Sequence, residues 1–197
     1  HLAHRRQRQM CIRDSCKITQ GEFLQMQISN KPNTKISDYF NVIGGKTAQL
    51  FGASAQSGAI VANGSLQQVK AAFDYGYNMG LAFQIIDDIM DYSSSNTQMG
   101  KNQGDDFKLG KTTLPIILAW EKSTKLEREF FLKSLQELKQ EKGDFEKCCE
   151  ILKKYSILNR CKKIANDFVI KAINALNEFS ENDYKRALIE LANISLS

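Results

Sequence analysis

From Leu66 to Met90, apolar residues recur every three or four positions: Leu66, Val69, Phe73, Met79, Phe83, Ile86 and Met90. That spacing predicts a long amphipathic helix. Near its end stands Phe83-Gln84-Ile85-Ile86-Asp87-Asp88-Ile89-Met90-Asp91-Tyr92, three aspartates in five residues inside an apolar run. Aspartate is a poor helix former, and an unpaired buried carboxylate is costly. At about 100° per residue, Gln84, Asp87, Asp88 and Asp91 share one face, and Gly76 and Gly80 extend it with almost no side chain. Clustered carboxylates repel one another unless a cation lies between them. Oxygen-only ligands suit Mg²⁺, which keeps several waters and shares itself with a substrate phosphate.

Downstream lies Gly100-Lys101-Asn102-Gln103-Gly104-Asp105-Asp106-Phe107-Lys108-Leu109-Gly110-Lys111-Thr112-Thr113-Leu114-Pro115. Lysines in such a stretch hold phosphate oxygens while carboxylates hold the bridging metal. The string DDIMD followed by GKNQGDDFKLGKTTLP resembles the second aspartate-rich motif of trans-polyprenyl diphosphate synthases. Two further segments extend the resemblance. Gly21-Glu22-Phe23-Leu24-Gln25 is similar to the family's GExxQ, and YFNVIGGKTAQLF (39–51) to the helix whose KT dipeptide faces the diphosphate.

The resemblance covers residues 17–197, the C-terminal part of that fold, and implies an all-α bundle of the isoprenoid-synthase type. It implies elongation of an allylic diphosphate with isopentenyl diphosphate, Mg²⁺ as cofactor, and a homodimer in the full-length parent. Residue by residue, it makes Asp87 and Asp91 metal ligands and Asp88 a ligand or water-shell partner. Lys46, Lys101 and Lys111 would bind diphosphate, and Thr47 and Gln84 would line the carbocation site. One of Asp105 and Asp106 would hold a metal-bound water or orient a lysine. The string leans toward the bacterial long-chain type that makes quinone side chains. The family's first aspartate-rich motif, with its paired arginines, has no match here. The chain is therefore expected to be a truncated piece without activity of its own. Competing readings are a terpene cyclase or squalene/phytoene-type synthase, which the lysines after DDIMD disfavour, and a non-catalytic partner subunit.

Charge adds an exclusion. The net charge is +5, but residues 1–16 carry four arginines against one aspartate, leaving +2 for the remainder. That is no nucleic-acid footprint. No apolar run reaches membrane-spanning length, and the five cysteines form no CxxC pair, so reduced thiols and a cytoplasmic protein are expected. Residues 1–16 allow three readings: an Arg-rich leader, a disordered arm, or sequence foreign to the rest. The last is favoured, because the segment runs straight into the middle of a domain.

Several helices follow from local signals. Ser37 or Asp38 caps one helix, whose apolar side is Tyr39, Phe40, Ile43, Leu50 and Phe51, interrupted at Gly44-Gly45 by a close approach. Ala53 to Asn63 reads as an interior helix. Ser65 caps the aspartate helix, and Pro115 opens another. Four amphipathic helices follow near 126–138, 145–155, 158–179 and 184–196. With the partner helices missing, apolar surface is expected beside Gly76, Gly80 and Phe83.

Overall fold

The computed structural model describes residues 16–93 and 103–196. Among them the chain is all-helical. Helix α1 spans residues 16–28. Then come α2 (Ile36–Ile43), α3 (Gln49–Val61), α4 (Leu66–Met90), α5 (Asp105–Lys108), α6 (Leu114–Lys122), α7 (Lys125–Phe131), α8 (Asp144–Lys154), α9 (Ile157–Ala175) and α10 (Asp183–Ile194). The bundle and the long aspartate helix are as the periodicity predicts. So are three of the four helices after Trp120 and the N-terminal proline of α6; the one expected near 126–138 is α-helical only to Phe131 and continues as a π-helical turn, Leu132–Gln136, with Leu138 at φ +53°. Ser65 does cap α4: its Oγ accepts from the Gln68 N–H at 3.2 Å, and Gln68 Oε1 accepts from the Ser65 N–H at 2.9 Å. Ser37 and Asp38, by contrast, lie inside the first turn of α2, which begins at Ile36.

The chain forms two compact units. Among the described residues, one contains 16–24, 41–84 and 164–196. Its core joins Tyr75, Met79 and Ala82 of α4 to Val169, Ala172 and Leu176 and to Ala192 of α10. The Tyr75 hydroxyl donates to the Leu188 carbonyl at 2.9 Å. Here the glycine stripe of α4 departs from expectation. Gly76 and Gly80 are buried, not bare: a Cβ at 76 would sit 2.3 Å from the Phe51 carbonyl oxygen, and one at 80 would sit 2.6 Å from Ala48 Cα. The two glycines let the α4 backbone touch α3 at Phe51 and the turn just before α3 at Ala48. Of the three residues expected beside exposed apolar surface, only Phe83 is open, at 50%, and its ring packs 5.6 Å from that of Phe51.

Helix α3 is also less interior than its small residues suggest. Gly52 and Ala53 are buried, while Ile60 and Val61 are 40% and 78% exposed. Between α2 and α3, Gly44–Ala48 forms a π-helical turn. Its wider winding shifts the helical phase. Tyr39 and Ile43 therefore face inward while Leu50 and Phe51 are left partly exposed, and the five do not share one side.

The second unit contains residues 25–40 and 85–163. Helix α6 supplies its most buried segment, Leu114 and Ile116 to Ala119, and packs against α7 and α8. Tyr92, Phe145, Phe107, Phe130 and Phe131 form a continuous run of ring contacts. The N-terminus of α7 closes with a capping box, Thr124 with Glu127.

Candidate active site

Each unit holds one cluster of the residues singled out in the sequence. In the first, the π-helical turn carries Lys46 and Thr47. π-helical turns are rare and frequent at functional sites. Thr47 Oγ1 donates to Gln84 Oε1 at 2.9 Å, so these two are brought together. Lys46 Nζ pairs with Glu22 Oε1 at 3.1 Å, which gives the GExxQ segment a concrete role on α1. The close approach anticipated at Gly44-Gly45 is with α1 at Gly45, whose Cβ would lie 3.0 Å from the Lys17 carbonyl oxygen, and with the Tyr77 hydroxyl of α4 at Gly44, 2.5 Å from its Cβ position. Lys17 Nζ donates to the buried Gln49 Oε1 at 3.1 Å nearby.

The second cluster is built on the last turn of α4. Asp87 and Asp91 are half-buried, and Asp88 is 4% exposed. The single-face reading of Gln84, Asp87, Asp88 and Asp91 is thus too coarse, because Asp88 turns into the core. There the Tyr39 hydroxyl donates to Asp88 Oδ2 at 2.6 Å. Burial, then the Asp88 charge and this hydrogen bond, push the Tyr39 phenol well above its ordinary pKa.

The loop after α4 reaches back to Asp91. Gly104 and Gly110 adopt φ of +78° and +66°, a conformation that glycine takes without strain. They bracket the short α5 so that the Asp106 N–H donates to Asp91 Oδ2 at 3.2 Å. Lys111 Nζ returns to Asp106 Oδ1 at 2.5 Å. The loop is tied from outside by the Asn30 N–H to the Gly110 carbonyl, 2.9 Å, and the Lys31 N–H to Thr112 Oγ1, 3.2 Å. Burial and the Asp106 charge push the Asp91 carboxyl up to about 6, against the pull of the Asp106 and Asp105 N–H groups. Burial alone would lower Lys111. The Asp106 hydrogen bond and charge, with Asp91 and Asp88 adding, instead hold it above the ordinary lysine value, so it stays a cation.

Of the pair after α4, Asp106 is the more buried and pairs with Lys111. Asp105 makes an exposed pair with Lys108 at 3.3 Å. Lys101 lies outside the described residues. Among those described, no three acidic, His or Cys side chains form a ready-made metal cage. The protein thus offers part of an oxygen shell and mutual repulsion between Asp91 and Asp106. That donor set fits a Mg²⁺ whose remaining ligands are water and substrate phosphate. Tyr39 was missed in the sequence, where it counted only as an apolar helix position. The one signal available was its phenol, which needs a partner when buried.

Comparison with known proteins gives consistent relatives. The sequence pattern of the Polyprenyl synthetase family matches residues 3–152. The octaprenyl diphosphate synthase of Haemophilus influenzae is 35% identical over 179 residues, covering 91% of this chain and 54% of that protein. The all-trans-nonaprenyl-diphosphate synthase (geranyl-diphosphate specific) of Rhodobacter capsulatus is 34% identical over 182 residues, covering 92% and 55%. A crystal structure of a polyprenyl synthase from Caulobacter crescentus, complexed with calcium and isoprenyl diphosphate, superposes with a TM-score of 0.93 at 38% identity. It covers 98% of this chain and 58% of that one. The chain spans about half the length of the curated relatives it matches.

Proposed function

This chain belongs to the polyprenyl synthetase family, and from that membership we propose that it is the part of a trans-prenyltransferase that binds the allylic diphosphate. The parent enzyme elongates that substrate with isopentenyl diphosphate. The observation that carries this reading is the linkage of Asp91, Asp106 and Lys111 in the second unit, with Asp87 one helical turn before Asp91 on α4. Asp87 and Asp91 are one helical turn apart and would hold the metal, with the buried Asp88 as a ligand or water-shell partner. Lys111, kept charged and aimed by Asp106, faces the diphosphate oxygens, with Lys101 as its companion. Mg²⁺ bound at the carboxylates neutralises the charge that develops on the departing diphosphate.

In the first unit, Lys46 binds diphosphate when it exchanges Glu22 for substrate oxygens. Thr47 and Gln84, hydrogen-bonded to each other, are the residues that the family resemblance assigns to the carbocation. The names of the octaprenyl and nonaprenyl relatives support a long-chain product of the kind found in quinone side chains. Among the described residues no helix is long and apolar enough to cross a membrane. A cytoplasmic homodimer completes the proposal.

The test uses the full-length parent protein, labelled isopentenyl diphosphate, an allylic diphosphate and Mg²⁺. The expected result is label in acid-labile polyprenyl diphosphates, abolished by chelation. Folded protein that incorporates no label with both substrates and Mg²⁺ present would contradict it.

A further inference from the structure

Asp88 is the most buried of the three aspartates, yet a carboxylate in the interior is costly unless hydrogen-bonded. Its partner is Tyr39 of α2, itself 2% exposed, at 2.6 Å. That is the short length of a hydroxyl–carboxylate bond, roughly twice the strength of a neutral one. The two residues are 49 positions apart in the chain. Cys161 of α9 lies close by, fully buried, its thiol pushed up to about 12 by burial and then by the Asp88 charge. So Asp88 is buried, with the phenol as one donor to it.

Asp88 also occupies the final turn of α4, which ends at Met90. The last carbonyls of a helix lack intrahelical partners, and such ends fray. Asp87 precedes Asp88 directly, and Asp91 follows just past the helix end.

We propose that Tyr39 is a positioning residue for the metal-binding carboxylates: its phenol clamps Asp88 beneath the last turn of α4 and so fixes where Asp87 and Asp91 point. This rests on the reading that those carboxylates hold Mg²⁺. Without the hydroxyl, Asp88 loses its buried donor and turns toward water or Lys111, and the turn that carries both ligands moves with it. Partners behind a metal's direct ligands typically contribute 10–100-fold in affinity.

The experiment titrates Mn²⁺ into this chain in the presence of inorganic pyrophosphate, reading free Mn²⁺ by electron paramagnetic resonance. Tyr39→Phe is expected to weaken Mn²⁺ binding about tenfold or more. Cys161→Ala removes a neighbouring buried group but leaves the clamp. It should lower the melting temperature while changing the Kd less than about twofold. A Tyr39→Phe Kd within about twofold of wild type, or equal weakening by Cys161→Ala, overturns the proposal. Should Tyr39→Phe not fold, 3-fluorotyrosine placed at position 39 keeps the phenol. Its fluorine resonance should shift on adding Mg²⁺ with pyrophosphate, and an unshifted resonance overturns the clamp. Absence of saturable Mn²⁺ binding by the wild-type chain instead rejects the metal reading on which the clamp depends.

Discussion

Replacing Gly76 with alanine adds one methyl group where α4 meets α3. The new Cβ would stand 2.3 Å from the Phe51 carbonyl oxygen and 2.8 Å from its carbon, against an ordinary contact of 3.4 Å or more. Both obstructing atoms are backbone, so α3 has to retreat by about an ångström. Overpacking costs about 1–3 kcal/mol, and the rigidity of the obstacle places this site at the upper end. Alanine returns up to about 1 kcal/mol of helix propensity, leaving a net loss of about 2 kcal/mol. For a chain of this size that lowers the melting temperature by about 4–8 °C. Gly58 supplies the opposite case: nothing lies within 4 Å of its Cβ position. Gly58→Ala should therefore raise the melting temperature by about 1–4 °C. Thermal melts followed by circular dichroism decide the matter. A Gly76→Ala variant that melts at or above wild type would refute the close crossing of α3 and α4.

Three further outcomes follow from the same structure. Gly80→Ala drives a methyl group to 2.6 Å from Ala48 Cα; because Ala48 adjoins Thr47, the Thr47–Gln84 hydrogen bond should be lost, visible as a changed Gln84 side-chain amide resonance. Burial alone would raise Glu127, but hydrogen bonds from Lys154, Thr124 and Tyr155 hold it at about 2. Its contribution to stability is therefore full above the unfolded value near 4.5 and is lost as the pH falls toward about 2. Thr124→Ala, which removes the cap, should cost about 1 kcal/mol at neutral pH and shrink that acid dependence in denaturant titrations. Burial pushes the thiols of Cys148 and Cys161 upward, so mass-spectrometric mapping after brief alkylation at neutral pH should find both protected and the exposed Cys16 modified.

The helices were legible because periodicity, caps and breakers are local. Leu66–Met90, the proline start of α6 and three of the four helices after Trp120 follow from residues within a few positions of one another. The carboxylates were legible because three aspartates in an apolar helix have few physical explanations. What escaped was pairing at a distance. Periodicity reports that Tyr39 faces inward but not that its hydroxyl meets Asp88. Glycines on a helix look alike whether they face an open cavity or another backbone, so Gly76 and Gly80 read as bare when each lies against another segment's backbone. The π-helical turn at Gly44–Ala48 adds a phase shift that no fixed period anticipates, and it explains why Leu50 and Phe51 left the expected face. Asp91 bound by the Asp106 N–H depends on two left-handed glycines whose direction the sequence does not carry.

Under the proposed function, Asp87 and its neighbours on α4 hold the metal that draws off the diphosphate. The most direct measurement is steady-state elongation by the full-length parent at saturating Mg²⁺, comparing Asp87→Ala with Glu190→Ala on the exposed face of α10. Loss of a direct ligand removes charge stabilisation where charge develops most, so kcat should fall by about 10²-fold or more for Asp87→Ala, with Glu190→Ala unchanged. Equal and small effects of the two substitutions would mean that the aspartates form a solvated face and that the chemistry lies elsewhere.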